Sequence, residues 1–242
     1  MSPAADRPSE GSASQVLEPL CDPVLIALGV PHGFGQKGTE PPVNTQFLKQ
    51  VHGIDIHEVG ASYSATHSGE APAPPEADAV WTQHAGSSVG IVTADCVPIL
   101  VSDRKGECVA AIHAGWRGLA AGVIEAAIAA LPKSPGELAA AVGPAARGCC
   151  YEVDAPVRNG LDRRYGRHLD RVMESGRADH FQLDLPLLAT CVLEDLGIPP
   201  DQIGVEQRLC TICNESRFES YRREGASAGR LRHFIGTRAE RG

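Results

Sequence analysis

Three apolar runs follow one another within residues 89–113, and they constrain the fold more than any other feature of the chain. Val89–Thr93, Val97–Ser102 and Val109–His113 are short, rich in valine and isoleucine, and separated by turn formers such as Asp103–Gly106. Runs of this length between turns read as buried strands. Gly118–Leu131 follows, with Leu119, Val123, Ile124, Ala127, Ile128 and Leu131 at helical spacing, and Pro132 closes it. Leu138–Val142 reads as a further strand, and so does Val24–Val30, which is bounded by prolines. A second amphipathic helix is predicted to begin at Asp184, a capping residue, with Pro186 in its first turn. It would bury Leu188, Cys191, Val192 and Leu196 and stop at Gly197. Strands and helices mix without strict βαβ alternation, so the expected class is α+β, a layered sandwich in one domain. No G-x-G-x-x-G follows a strand and no Walker A pattern occurs, so nucleotide binding of those two kinds is not indicated.

The expected domain spans residues 21–242, preceded by a Pro/Ser/Ala-rich tail over residues 1–20 that cannot bury enough apolar surface to order. Gly60–Glu76, rich in Ser, Gly and Pro, is expected to be a surface loop. The chain of 242 residues carries 22 Lys and Arg against 30 Asp and Glu, a net charge of −8, which opposes broad nucleic-acid binding. The N-terminus lacks the basic and apolar regions of a secretory signal, and no apolar run approaches the length needed to span a bilayer. A cytoplasmic location is therefore expected, and the eight cysteines read as thiols or metal ligands in preference to disulfides.

His52, Cys96 and His113 each stand at the edge of a probable strand beside small residues that let a backbone approach closely. One thiol with two imidazoles suits zinc or copper, and three protein ligands leave a fourth position open, as in catalytic zinc sites. Such a metal acidifies bound water and polarises a substrate oxygen. The intervals of 44 and 17 residues are not diagnostic, and a buried thiol with two ordinary histidines accounts for them at least as well. Asp95, beside Cys96, is the carboxylate nearest the candidate ligands in sequence, though strand neighbours point to opposite faces unless the backbone turns. It would serve either as a proton shuttle or as a group that orients a ligand. Cys210-x-x-Cys213 could be half a zinc site or a redox pair; with no second C-x-x-C, buried thiols lining a pocket are expected there and at Cys149 and Cys150.

Several strings resemble one family throughout residues 24–235. They are His32-Gly33-Phe34, Gln50-Val51-His52-Gly53, Thr93-Ala94-Asp95-Cys96-Val97-Pro98 and His113-Ala114-Gly115-Trp116-Arg117-Gly118. Gly143-Pro144, Cys149-Cys150-Tyr151-Glu152-Val153, Leu183-Asp184-Leu185-Pro186, Cys210-Thr211-Ile212-Cys213 and Ser220-Tyr221-Arg222-Arg223 follow in the same order. The chain resembles the YfiH/laccase-domain family, known both as multicopper polyphenol oxidase-like and as purine nucleoside phosphorylase-type. The resemblance implies an α/β/β/α sandwich with zinc held by His52, Cys96 and His113. It implies phosphorolysis of adenosine, inosine, guanosine and methylthioadenosine, with adenosine deamination as a second activity, in a monomer or homodimer. Arg222 and Arg223 would act in catalysis with Asp95, while Gln50, Lys37 and Arg117 would touch substrate. Family members usually carry a Ser/Thr-Arg-x-Gly-Gly-Val-Ser type loop after HGF. Here the chain reads Gly35-Gln36-Lys37-Gly38-Thr39, with Lys37 near the usual arginine, and lysine lacks the guanidinium fork.

Two other activities fit the same ligands. Copper at the triad would support phenol oxidation, although nine histidines with no His-x-His cannot assemble a four-copper centre. Hydrolysis of an amide in a peptidoglycan precursor is the other, and phosphate dependence separates it from phosphorolysis.

Overall fold

The apolar run at Val24–Val30 forms a helix and not the expected strand. In α1 (Pro23–Ala27) the Asp22 Oδ1 accepts the Val24 N–H at 2.8 Å, Pro23 fills the first turn, and Gly29 at φ +66° turns the chain away. Short apolar runs suit either element, and here the cap decides. The computed structural model describes residues 17–60, 73–205 and 209–239. After α1 come β1 (His32–Gly33), β2 (Thr45–Phe47), β3 (Ile56–Glu58), β4 (Ala79–Thr82) and β5 (Ser88–Thr93). Then come β6 (Val97–Asp103), β7 (Val109–Ala114), α2 (Trp116–Ala121), α3 (Val123–Ala130) and β8 (Leu138–Val142). The C-terminal part adds β9 (Glu152–Asp154), α4 (Ala155–Val172), β10 (Met173–Ser175), β11 (His180–Leu183) and α5 (Leu185–Asp195). It ends with β12 (Ile203–Val205), α6 (Tyr221–Glu224) and β13 (Leu231–Gly236).

A six-stranded sheet, ordered β12-β8-β6-β7-β4-β3, faces a four-stranded sheet ordered β1-β13-β5-β2, and β10-β11-β9 form a small third sheet. Side chains alternate along β6, so Val97, Ile99 and Val101 join the core beneath α2–α5 while Leu100 joins the core between the sheets. Along β7, Ala110, Ile112 and Ala114 face the helices, whereas Val109 and Ala111 face the second sheet. By the same alternation His113 points between the sheets. The mixed α/β single domain expected from the sequence is therefore present, with its longer helices gathered on one face of the larger sheet.

The helix predicted over Gly118–Leu131 is two helices. Gly122 at φ +97° divides them, and the Arg164 guanidinium lies 2.8 Å from where a Cβ would stand. Asp184 caps α5 as predicted, accepting the Leu187 N–H at 2.9 Å. The 18-residue α4 has no counterpart among the predicted helices; its buried positions Val157, Leu161, Tyr165, Leu169 and Val172 form a narrow stripe in a strongly charged segment. Residues 1–16 of the expected disordered tail lie outside the described residues, but Leu20 exchanges two 2.8 Å backbone hydrogen bonds with Phe34. Most of the Gly60–Glu76 loop, residues 61–72, also lies outside them. No helix among the described residues is long and apolar enough to cross a membrane.

Candidate metal centre

Between β5 and β6 the chain leaves the four-stranded sheet and enters the six-stranded one, and the crossing residues are Ala94, Asp95 and Cys96. Asp95 adopts φ +88°, a left-handed conformation that non-glycine residues rarely hold. The crossing sets Cys96 at the end of the core between the sheets, where β7 presents His113 from the same side. His52 arrives on the loop after β2, also left-handed at φ +61°. The three donor atoms lie within 4.8 Å of one another, with Cys96 Sγ 3.9 Å from His52 Nε2. The imidazoles meet edge to face at 4.8 Å between centroids. Burial is graded: His113 is buried, Cys96 half-buried and His52 exposed, so the triad is open on one side.

Asp78 holds this arrangement. Its fully buried carboxylate accepts His113 Nδ1–H at 2.7 Å, leaving Nε2 free to serve as the ligand. The same carboxylate receives the backbone N–H groups of Val51, His52 and Gly53 at 3.2, 2.9 and 2.6 Å. Three successive N–H groups converging on one anion are what a left-handed residue in a loop makes possible. One carboxylate thus orients one candidate histidine ligand and shapes the loop that carries the other, the arrangement expected of an outer partner to a metal-bound imidazole. Gly115 supplies the remaining space: a Cβ there would stand 2.9 Å from Cys96 Sγ and 3.1 Å from His52 Cδ2.

Burial alone would raise the Cys96 pKa, but hydrogen bonds and charge from His113 and His52 outweigh it and bring the thiol down to about 7. His113 is opposed by burial, yet Asp78 and Cys96 raise it to about 9. For Asp78, burial also works against the charge; bonds from His113 and the Gly53 N–H prevail and hold the carboxyl below its ordinary value. A thiol that ionises near neutrality with two imidazoles beside it matches what a borderline-soft divalent ion requires. The residues fit a metal.

The triad opens into a cavity of about 610 Å³. Trp116, Tyr151 and Tyr221 provide aromatic surface, and Arg117, Arg222 and Arg230 provide charge. Arg117 stacks on Trp116 at 4.5 Å and Arg222 on Tyr151 at 4.8 Å. Among the described residues none of these three arginines forms an ion pair with a carboxylate, although Asp95 lines the same cavity.

A profile of the multi-copper polyphenol oxidoreductase laccase family matches residues 35–238. The chain belongs to the YfiH/laccase-domain family. It is 34% identical over 194 residues to the purine nucleoside phosphorylase YfiH of Shigella flexneri, covering 80% of this chain and 74% of that protein. A purine nucleoside phosphorylase of Pseudomonas aeruginosa is 36% identical over 189 residues, covering 78% of this chain and 72% of its own length. Among solved structures, a YfiH protein of Bacillus licheniformis superposes with a TM-score of 0.78 at 26% identity, covering 87% of this chain and 93% of that one. YlmD of Geobacillus stearothermophilus gives 0.71 at 31% identity, with 81% and 74% covered.

Within this YfiH-family chain the residues singled out in the sequence have unequal positions. Gln50, Asp95, Arg117 and Arg222 line the cavity with the triad, whereas Lys37 and Arg223 do not. Lys37 instead reaches Glu224 at 3.7 Å. Arg223 is spent on the carbonyls of Thr211, Ile212 and Phe218 and on the Glu224 carboxylate, bracing its own loop. The Gln50 amide pairs with Val92 in both directions at 2.7 Å, as a neighbouring strand would, and so ties its loop to β5. Both Asp95 oxygens are engaged, Oδ1 by the Thr211 hydroxyl at 2.6 Å and Oδ2 by the Ser220 hydroxyl and the Arg222 N–H at 2.9 and 2.6 Å. Asp78 and Arg230 escaped the sequence reading. The first touches residues 26 and 35 positions away, and the second stands in no recognisable motif.

Behind the triad lies His233, completely buried, with Nε2 2.8 Å from the Thr93 hydroxyl and Nδ1 accepting the Gly35 N–H at 3.2 Å. Burial, with a smaller contribution from the charge of His113, pushes its pKa down to about 3. The unfolded chain therefore takes up a proton near pH 6.5 that the folded chain refuses, and stability falls as the pH drops below that value. From pH 6.5 to 4.5 this histidine alone is expected to cost about 2 kcal/mol. Urea titrations across that range should show the loss in the natural chain and a flatter slope in His233→Gln.

Proposed function

We propose that this chain is a zinc-dependent purine nucleoside phosphorylase acting on adenosine, inosine, guanosine and methylthioadenosine, with adenosine deamination as a second activity. The observation that carries the proposal is one cavity containing both a candidate metal triad and three arginines that form no ion pair with a carboxylate among the described residues. The names of relatives at 34–36% identity point the same way. His52, Cys96 and His113 would hold the ion, which supplies Lewis acidity toward a substrate oxygen or water.

The chain's own groups divide the remaining work. Arg117, Arg222 and Arg230 hold inorganic phosphate and balance its charge as a phosphate oxygen bonds to the anomeric carbon and the glycosidic C–N bond breaks. Trp116, Tyr151 and Tyr221 offer π-faces to a purine. Asp95, with both oxygens engaged by Thr211, Ser220 and Arg222, acts as a positioning residue that fixes the start of α6 and hence Arg222. Gln50 and Asp78 keep the His52 loop in place, and Lys37 and Arg223 support the loop behind the cavity.

Initial rates with adenosine or inosine and varied phosphate test the proposal. Release of free base should require phosphate and be matched by ribose 1-phosphate, and Arg222→Ala should raise KM for phosphate by about tenfold or more, the loss of one charge-assisted contact. Release of free base from inosine without phosphate would replace phosphorolysis with hydrolysis; deamination of adenosine needs no phosphate and does not bear on this outcome. Phenol oxidation confined to copper-loaded protein, without phosphorolysis, would favour the oxidase reading.

A further inference from the structure

A second sulfur cluster stands apart from the cavity. The expected buried, pocket-lining thiols are not what the fold makes of Cys149, Cys150, Cys210 and Cys213. None lines the cavity, Cys149 and Cys213 are exposed, and the four Sγ atoms lie within 4.8 Å of one another. Cys213 Sγ is 2.8 Å from that of Cys150 and 3.4 Å from that of Cys149. Two segments distant in sequence bring them together: the turn after β8, and the Cys210–Cys213 turn, joined by an Ala145–Cys210 bridge and by the Thr211 N–H donating to the Ala145 carbonyl at 3.1 Å.

Packing alone does not explain this gathering. Thiols that cluster as small hydrophobes do so by leaving water, and two of these four face it. Hydrogen bonds between thiols are too weak to draw four together. A tetrahedral ion with metal–sulfur bonds of about 2.3 Å requires sulfurs about 3.8 Å apart, close to the spread seen here. A Cys150–Cys213 disulfide would use two of the sulfurs and leave the approach of the other two without a cause.

We propose that Cys149, Cys150, Cys210 and Cys213 bind one zinc ion as a closed tetrathiolate site, distinct from the His52–Cys96–His113 triad. Each thiol gives up its proton on coordination, and no position remains for substrate, so the site is structural. What it stabilises follows from the chain on either side. Cys150 is followed by Tyr151 and by Glu152, whose carbonyl accepts Arg222 Nη1 at 2.9 Å. The Cys210–Cys213 turn contains Thr211, which donates to Asp95, and its carbonyls at 211 and 212 receive Arg223. The ion would clamp together the two loops that carry Tyr151 and Arg222 on the cavity wall. The proposal does not depend on which reaction the cavity catalyses.

Zinc should be counted in the full chain purified under reducing conditions without chelator, in the natural sequence, in Cys96→Ala and in Cys149→Ser/Cys213→Ser. The natural chain is expected to hold two ions, and each variant one. Should the double variant fail to fold, Cys96→Ala carries the test, because its four clustered cysteines are intact. Loaded with cobalt in place of zinc, it should show the intense visible and sulfur-to-metal charge-transfer bands of a tetrathiolate, and its cluster thiols should resist alkylation until the metal is removed. A Cys96→Ala chain that binds neither zinc nor cobalt would overturn the proposal. So would a mass two daltons light with the Cys150–Cys213 disulfide mapped and no zinc bound after reduction.

Discussion

Cys96→Ala is expected to lower kcat/KM by about 1,000-fold or more, at least about 4 kcal/mol of transition-state stabilisation, while the fold persists. Cys96 lies at a turn between sheets, half-buried, and its side chain contributes little to either core. What the substitution removes is the one soft ligand of the triad, and two imidazoles alone hold a divalent ion poorly. Metal content at the triad and turnover should disappear together, with the circular-dichroism spectrum unchanged. A variant that keeps its turnover after losing the metal would separate catalysis from the triad.

Asp78→Asn should act on both the metal and the fold. The amide is nearly isosteric, but it presents an NH₂ group where the carboxylate accepted four N–H donors, from Val51, His52, Gly53 and His113. At least one donor is then left facing another donor in a buried place, an expected loss of about 2–4 kcal/mol. The other consequence falls on His113, whose tautomer and ring orientation are no longer fixed, and metal affinity should drop by about 10- to 100-fold. Because the Asp78 pKa is depressed in the fold, its contribution to stability is present above the ordinary carboxylate pKa and lost as the pH falls through the folded value. Stability of natural and variant chains should therefore converge in acid. Competition with a chelator measures the metal effect, and urea denaturation measures the other.

The parts of the fold legible in the sequence were those in which local pattern and tertiary environment agree. β5, β6, β7 and β8 are nearly uniformly buried, so they appear as apolar runs, and α5 announces itself through Asp184 and Pro186. Disagreement hid the rest. In α4 a narrow buried stripe is set among Arg and Asp residues, so no apolar run marks it, and at Gly122 one helical period continues across a real break. The gathering of His52, Cys96 and His113 was legible because their motifs are; from spacing alone it was not. Asp78, by contrast, works entirely through contacts that folding creates, and so does the meeting of Cys149-Cys150 with Cys210 and Cys213. Arg222 and Arg223 show how fine the limit is. Adjacent in sequence, they diverge in the fold, the first to the cavity and the second into carbonyls of its own loop.

Diffraction from crystals of the chain grown without chelator, with data collected on either side of the zinc absorption edge, puts the metal centre to its most direct trial. An anomalous peak that vanishes below the edge should lie within bonding distance of His52 Nε2, Cys96 Sγ and His113 Nε2 at once, about 2.0–2.3 Å from each. Ordered side chains with no anomalous density among them in zinc-supplemented crystals, or an ion that engages only one of the three, would contradict a shared metal site at the mouth of this cavity.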